Sequence, residues 1–217
     1  MFSLSTLFTN PVTFIVGFIA LAVSISIHEF SHVLSAYLQG DSTGKSMGRL
    51  TLNPLKHLDV WGTIAIVVAG IGWGKPAPYN PYNLRNRRWG PLLVALGGPV
   101  SNVIVATIAG YALLLIGPKL ATGNLLLVFL QTMVFLNAAL AVFNLIPIAP
   151  LDGSHMLSAI LGTENSLVKM LQQYGVFLLL GLLILGGGIL STYILGGVRI
   201  LLHVVGLGAL VAVCQTG

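Results

Sequence analysis

Polar positions are so sparse along this chain that its elements read as blocks of unbroken apolar sequence between short polar stretches. The first block, about Val12–Leu38, opens with VTFIVGFIALAVSISI. At 1.5 Å rise per residue it is long enough to cross a bilayer as a helix, with Gly40 as its stop. Residues 40–60 are polar and glycine-rich, and GRLTLNP within them alternates as a short strand would. WGTIAIVVAGIGW follows. Its dozen or so apolar residues are short for a span, which predicts a re-entrant or interfacial segment over 62–73. A Pro/Asn/Tyr-rich loop, GKPAPYNPYNLRNRRWGP, leads to longer blocks at Leu92–Gly117, from Leu125 into FNLIPIAPLDGSHML, at about Leu171–Leu190 and at about Tyr193–Val213. In the last two, Gly186, Gly187, Gly188, Gly196, Gly197, Gly206 and Gly208 predict close helix–helix approach.

The pattern predicts an all-α polytopic membrane protein with about five to six transmembrane helices. A short re-entrant or β-containing segment lies between the first and second core helices. Composition agrees: charged residues are 7% of the chain, against about 25% in soluble domains, too few to cover a water-facing surface. The lone cysteine, Cys214, excludes an intrachain disulfide. No basic residue precedes the first apolar block, which argues against a cleavable signal peptide.

The net charge of +5 reads as topology rather than nucleic-acid affinity. Lys45, Arg49, Lys56, Lys75, Arg85, Arg87 and Arg88 all fall between residues 40 and 90. If 62–73 does not cross, all lie on one side, which the positive-inside rule makes cytoplasmic. The first and third long helices then run parallel, and the far-side loop between the second and third carries only Lys119.

Within the first block, His28-Glu29-Phe30-Ser31-His32 places three ionisable groups where lipid would surround them. Such groups are costly at bilayer depth unless paired or metal-bound. On a helix, residues four apart share a face, so both imidazoles can bind one Zn²⁺, with Glu29 beside them as a base. A catalytic zinc uses three protein ligands and keeps one position open. Candidates for the third are Asp41, His57, Asp59, Asp152, His155, Glu164 and His203. Asp152 stands out. Pro147 and Pro150 break the helix before it, and the parallel arrangement brings it to the depth of the histidines. His155, one turn further, is the runner-up ligand or a group supporting the ligands, and His57 is a further supporting candidate.

HExxH, GRLTLNPLKHLD, GWGKPAPYNPYNLRN, GGPVSN and NLIPIAPLDG together resemble the site-2 protease family of intramembrane zinc metalloproteases, over roughly residues 20–160. The resemblance implies His28, His32 and Asp152 as ligands of one Zn²⁺ per chain and Glu29 as general base. Asn144 in the NxxP stretch, and Asn102 in GGPVSN, become possible contacts to substrate or transition state. Val60 stands where a proline is expected in HLDVWGT, a departure confined to a loop. The chain then reads as a single membrane-embedded domain, 1–217, with a catalytic core of about 12–160 and C-terminal helices of about 171–213. The implied partners are transmembrane protein substrates and the lipid bilayer, with no nucleic acid and a possible homo-oligomer. The implied location is a prokaryotic inner membrane, with the site toward the cytoplasm. A metal or ion transporter and a catalytically inactive membrane scaffold are the competing readings; a transporter needs access from both faces and has no use for Glu29 as a base.

Overall fold

The computed structural model describes residues 4–69 and 72–211. The expectation for Cys214, the end of the last apolar block and the middle of 62–73 fall outside them.

Five helices are long and apolar enough to cross a membrane. They are α2 (Pro11–Leu38), α6 (Gly90–Ile116), α7 (Leu125–Asn144), α9 (Ser166–Ile184) and α10 (Gly187–Val204). The short α1 (Leu4–Thr9) precedes them, and between them lie α3 (Thr43–Ser46), α4 (Pro54–His57), α5 (Val60–Ala69) and α8 (Asp152–Leu161). Asparagine side chains set several starts. Asn10 accepts from the Thr13 N–H ahead of Pro11, Asn124 from Leu126 and Asn165 from Leu167, each satisfying an otherwise unpaired amide. The start at Ser166 lies several residues before the boundary that hydropathy suggests, because the cap sits in polar sequence. α10 begins early for a related reason: the apolar run continues through the break at Gly186.

α6 runs antiparallel to α2, pairing His28 with Asn102 and Gln39 with Gly90. α7 lies against both, and Asn137 bonds to Asn102 and to Ser24. The core between these helices is built from Ala20, Ala106, Ala109, Val134 and Ala138, closed by Val198 and Leu202 of α10. Large apolar side chains instead point outward on every span. Ile19, Ile108, Phe177, Ile184 and Ile200 are all exposed, as expected of surfaces bathed in lipid rather than water.

Residues 40–89 leave and return at one point. The Gln39 side chain donates to the Gly90 carbonyl at 3.4 Å, and the Arg85 N–H donates to the Gln39 carbonyl at 2.9 Å. Within this excursion α5 is ten residues long, and the chain returns to a single antiparallel bridge, Leu58 with Gly74. Gly62 faces the Trp73 backbone so closely that neither Gly62 nor Gly72 has room for a Cβ. The expected strand over GRLTLNP does not form, and no strand occurs among the described residues. Asn53 caps a one-turn helix at Pro54 instead, accepting from the Leu55 N–H at 3.1 Å.

The glycines of the last two helices also differ from expectation. Gly197 presses on Val142 of α7, but Gly187, Gly188 and Gly196 face open space. Close approach is made elsewhere, by Gly97 against the Ser31 backbone, Gly110 against Leu207 and Gly175 against Ala149.

Candidate active site

The site forms where three elements meet. On α2, the i,i+4 spacing sets His28 and His32 on the face toward α6, and both are buried. Gly97 and Gly98 of α6 admit that face: a Cβ on Gly98 would run into both imidazoles. Pro99 interrupts the α6 ladder, since a proline inside a helix offers no N–H and crowds the preceding turn. In that turn the Val94 carbonyl accepts from His32 Nδ1 at 2.7 Å and the Leu93 carbonyl from Ser35 Oγ at 2.8 Å.

The third element is the break after α7. Leu145 to Leu151 form a tight bend, and Asp152 opens α8, a separate helix that sequence reading had folded into the preceding segment. Gly153 explains the LDG sequence physically. Its Cα lies against the carbonyls of Leu145 and Ile146, where any side chain would clash. α8 packs on α6, and Asp152 is thereby carried to the histidines. Its Oδ2 lies 3.2 Å from His28 Nε2, and its Oδ1 lies 3.3 Å from His32 Nε2. The two Nε2 atoms are 3.0 Å apart.

These atoms suit a cation. A backbone carbonyl only accepts, so His32 Nδ1 carries the proton that it gives to Val94, and in its neutral form, the form a metal binds, the ring turns a bare Nε2 lone pair inward. Asp152 Oδ2 is buried with no hydrogen-bond donor. Lone pairs facing one another at about 3 Å repel unless a metal ion lies between them, and two imidazoles with one carboxylate form a donor set of the kind zinc takes. Among the described residues, His28, His32 and Asp152 are the group of ligand-type side chains that converges in this way.

A cavity of about 350 Å³ opens on this trio. Glu29, Asn144 and His155 line it, together with Trp73, Gly74 and Tyr79 from the 40–89 excursion. Burial holds the His155 imidazole below its ordinary range, against the pull of Asp152 and with some help from His32.

The other candidates lie elsewhere. His57 is fully buried and bonds through Nε2 to the Thr51 carbonyl at 2.7 Å. Asp59 accepts from the Gly62 N–H at the start of α5, and Glu164 pairs with Lys169 on the surface. Asp41 is buried at the foot of α2, where it receives bonds from Thr43, Asn80 and Asn83. His203 packs against Gly208. Asn102 lies behind His28 rather than beside the cavity, fully buried, with Oδ1 on His28 Nδ1. Asn137 of α7 and Ser24 of α2 continue that contact inward. The sequence pattern does not single out either; the signal available is one amide in the apolar run MVFLNAAL.

The family model for Peptidase family M50 matches residues 16–123 and 117–183. The chain belongs to peptidase family M50. YwhC of Bacillus subtilis (strain 168), named as a zinc metalloprotease, is 42% identical over 181 residues, covering 79% of this chain and 82% of its own. Rip2 of Mycolicibacterium smegmatis, also named as a zinc metalloprotease, is 31% identical over 169 residues, covering 75% of this chain and 64% of its own. Rip2 of Mycobacterium tuberculosis (strain H37Rv) is 32% identical over 166 residues, and the match spans 62% of its length. No solved structure matches the chain. Family membership agrees with the resemblance carried by HExxH and LDG. The M50 chain is a multi-pass membrane zinc metallopeptidase, and its cofactor is Zn²⁺.

Proposed function

We propose that this M50 chain hydrolyses peptide bonds in or near the transmembrane segments of membrane-protein substrates, as in regulated intramembrane proteolysis. The observation that carries the reading is the convergence of His28 and His32 of α2 with Asp152 at the start of α8, with Glu29 on the wall of the same cavity. His28, His32 and Asp152 would hold the zinc. Zinc bound there supplies a Lewis acid for a carbonyl oxygen and lowers the pKa of water.

The chain's own groups supply the rest. Glu29 takes the proton from the attacking water and passes it to the leaving amine, so one carboxylate serves as base and then as acid. Asn144 ends α7 on the cavity wall, its amide N–H donating to the Leu140 carbonyl at 3.0 Å. Its side chain lines the space where a substrate backbone would lie. A helical substrate must first unwind to present a carbonyl. The irregular run 72–77 borders the cavity and offers backbone against which an unwound segment can lie as an added strand. Arg49 steadies that run, donating to the carbonyls of Lys75 and Pro76 at 2.7 and 3.2 Å. By the positive-inside rule, the seven cations of the excursion support a site toward the cytoplasmic side, in a prokaryotic cell membrane.

The deciding experiment compares Glu29→Gln with His28→Ala and Asp152→Ala, measuring zinc content and cleavage of a transmembrane substrate in liposomes. Glu29→Gln keeps zinc and loses about 10²–10⁴-fold in rate, the range for a positioned acid–base group; both alanine variants lose zinc. Zinc flux across the liposome with no cleavage by the parent protein would overturn the reading in favour of a transporter.

A further inference from the structure

A chain of buried side chains runs from His28 across α6 and α7 and back to α2, and every bond in it has a forced direction. It is anchored at the Met133 carbonyl, 2.8 Å from Asn137 Nδ2. A carbonyl cannot donate, so the nitrogen of the Asn137 amide must face it. The Asn137 oxygen then faces α6, where Asn102 Nδ2 donates to it at 2.8 Å. That fixes the Asn102 amide in turn, leaving Oδ1 for His28 Nδ1. An amide oxygen only accepts, so His28 must carry a proton on Nδ1, and its neutral ring then presents a bare Nε2 toward His32 and Asp152. Ser24 closes the chain: its Oγ accepts from Asn137 Nδ2 at 2.8 Å and donates to the Ala20 carbonyl at 2.7 Å. Asn102, Asn137 and Ser24 are all buried, with no water surface to offer alternative partners.

We infer that Asn137, through Asn102, is a positioning residue that selects the metal-binding tautomer of His28. His32 reaches the same tautomer through a backbone carbonyl, which no substitution can reverse. His28 depends on an amide, and an isolated amide can turn over to present its N–H₂ group. That face would favour the opposite tautomer, with a proton on Nε2 where the metal binds. The anchor on the Met133 carbonyl removes that freedom. A polar amide at Asn137, inside an otherwise apolar stretch of α7, thereby acquires a purpose other than packing. The inference rests on His28 as a zinc ligand.

The test uses the purified full chain with ¹⁵N-labelled histidine, stripped of metal by chelation, and reads two quantities: side-chain ¹⁵N shifts, which report the protonated nitrogen, and zinc affinity by competition with a fluorescent chelator. In the parent protein, His28 and His32 both carry the proton on Nδ1. Asn137→Leu moves the His28 proton toward Nε2, leaves His32 unchanged and weakens zinc binding about 10- to 100-fold, the range for loss of a group that orients a metal ligand. Adding Asn102→Asp to Asn137→Leu restores both readouts, because a carboxylate accepts in either orientation. A parent His28 protonated on Nε2 would overturn the inference whatever the variants do. So would an Asn137→Leu protein with zinc affinity within twofold of the parent, a simultaneous change at His32, or no rescue by the aspartate. His28→Ala separates the two levels: if it abolishes zinc binding while Asn137→Leu has no effect, the relay fails and the ligand assignment stands.

Discussion

Single atoms decide much at this site. Gly98 has a hydrogen where any other residue would have a methyl group, and that methyl would meet both imidazoles. Gly98→Ala is expected to cut zinc stoichiometry to below about half while the helical content stays intact, measured by metal analysis beside far-UV circular dichroism. Asp41 illustrates a second kind of dependence. Burial pushes its carboxyl up, but donors from the Thr43 hydroxyl, the Asn80 backbone, the Asn83 amide and the Thr43 backbone outweigh it and hold the group below its ordinary range. A carboxylate whose folded pKa is depressed contributes stability above its unfolded pKa of about 4 and loses it as pH falls through the lower folded value. Asp41→Ala should therefore cost about 2 kcal/mol at pH 7, the scale for hydrogen bonds to a charged group. The gap to the parent should narrow below pH 4, read as thermal midpoints across pH in one detergent.

Elements carry these residues into place, and some of their boundaries were legible in the sequence while others were not. HExxH announces itself because helical spacing converts four residues of sequence into one face. Asp152 was legible because Pro147 and Pro150 forbid a continuous helix. That the chain after the bend forms a ten-residue helix of its own was not legible, since apolar residues on both sides of the bend hide its extent from hydropathy. The role of Gly97 and Gly98 was equally hidden, because close approach depends on the partner and not on the glycine. Gly187, Gly188 and Gly196 make the converse point, small residues with nothing pressed against them. Asn137 is a single polar letter whose direction of bonding only the tertiary structure supplies. α9 offers a test at this scale. Among the described residues it buries only Val168 and Gly175, and Gly175 rests on Ala149 in the bend that leads to Asp152. Gly175→Leu should overpack that contact, at about 1–3 kcal/mol, and should loosen zinc binding, although the substitution lies outside the site. Unchanged zinc affinity with lowered stability would show that the bend is held by α6 alone.

At the scale of the whole molecule, α2 and α6 meet again at Gln39 and Gly90, and the cations between them share one end of the bundle. Lys119 follows α6 at the opposite end. Single cysteines placed at Lys56 or Arg87 and at Lys119, in a Cys214→Ser background, should therefore react with a membrane-impermeant maleimide from opposite faces of sealed vesicles. Labelling of all three from the same face would overturn the arrangement.

The shared exit and entry point of residues 40–89 has a consequence for how such enzymes diversify. A segment whose two ends are already tied together can be exchanged like a cassette, since its replacement leaves the α2–α6 seam joined. The proposed ligands His28, His32 and Asp152 belong to the bundle, whereas Trp73, Gly74 and Tyr79 on the cavity wall belong to the segment between its tied ends. Chimeras that swap 41–84 between family members should keep their zinc and inherit the substrate preference of the donor. Chemistry and selectivity would then be free to evolve on separate stretches of one chain.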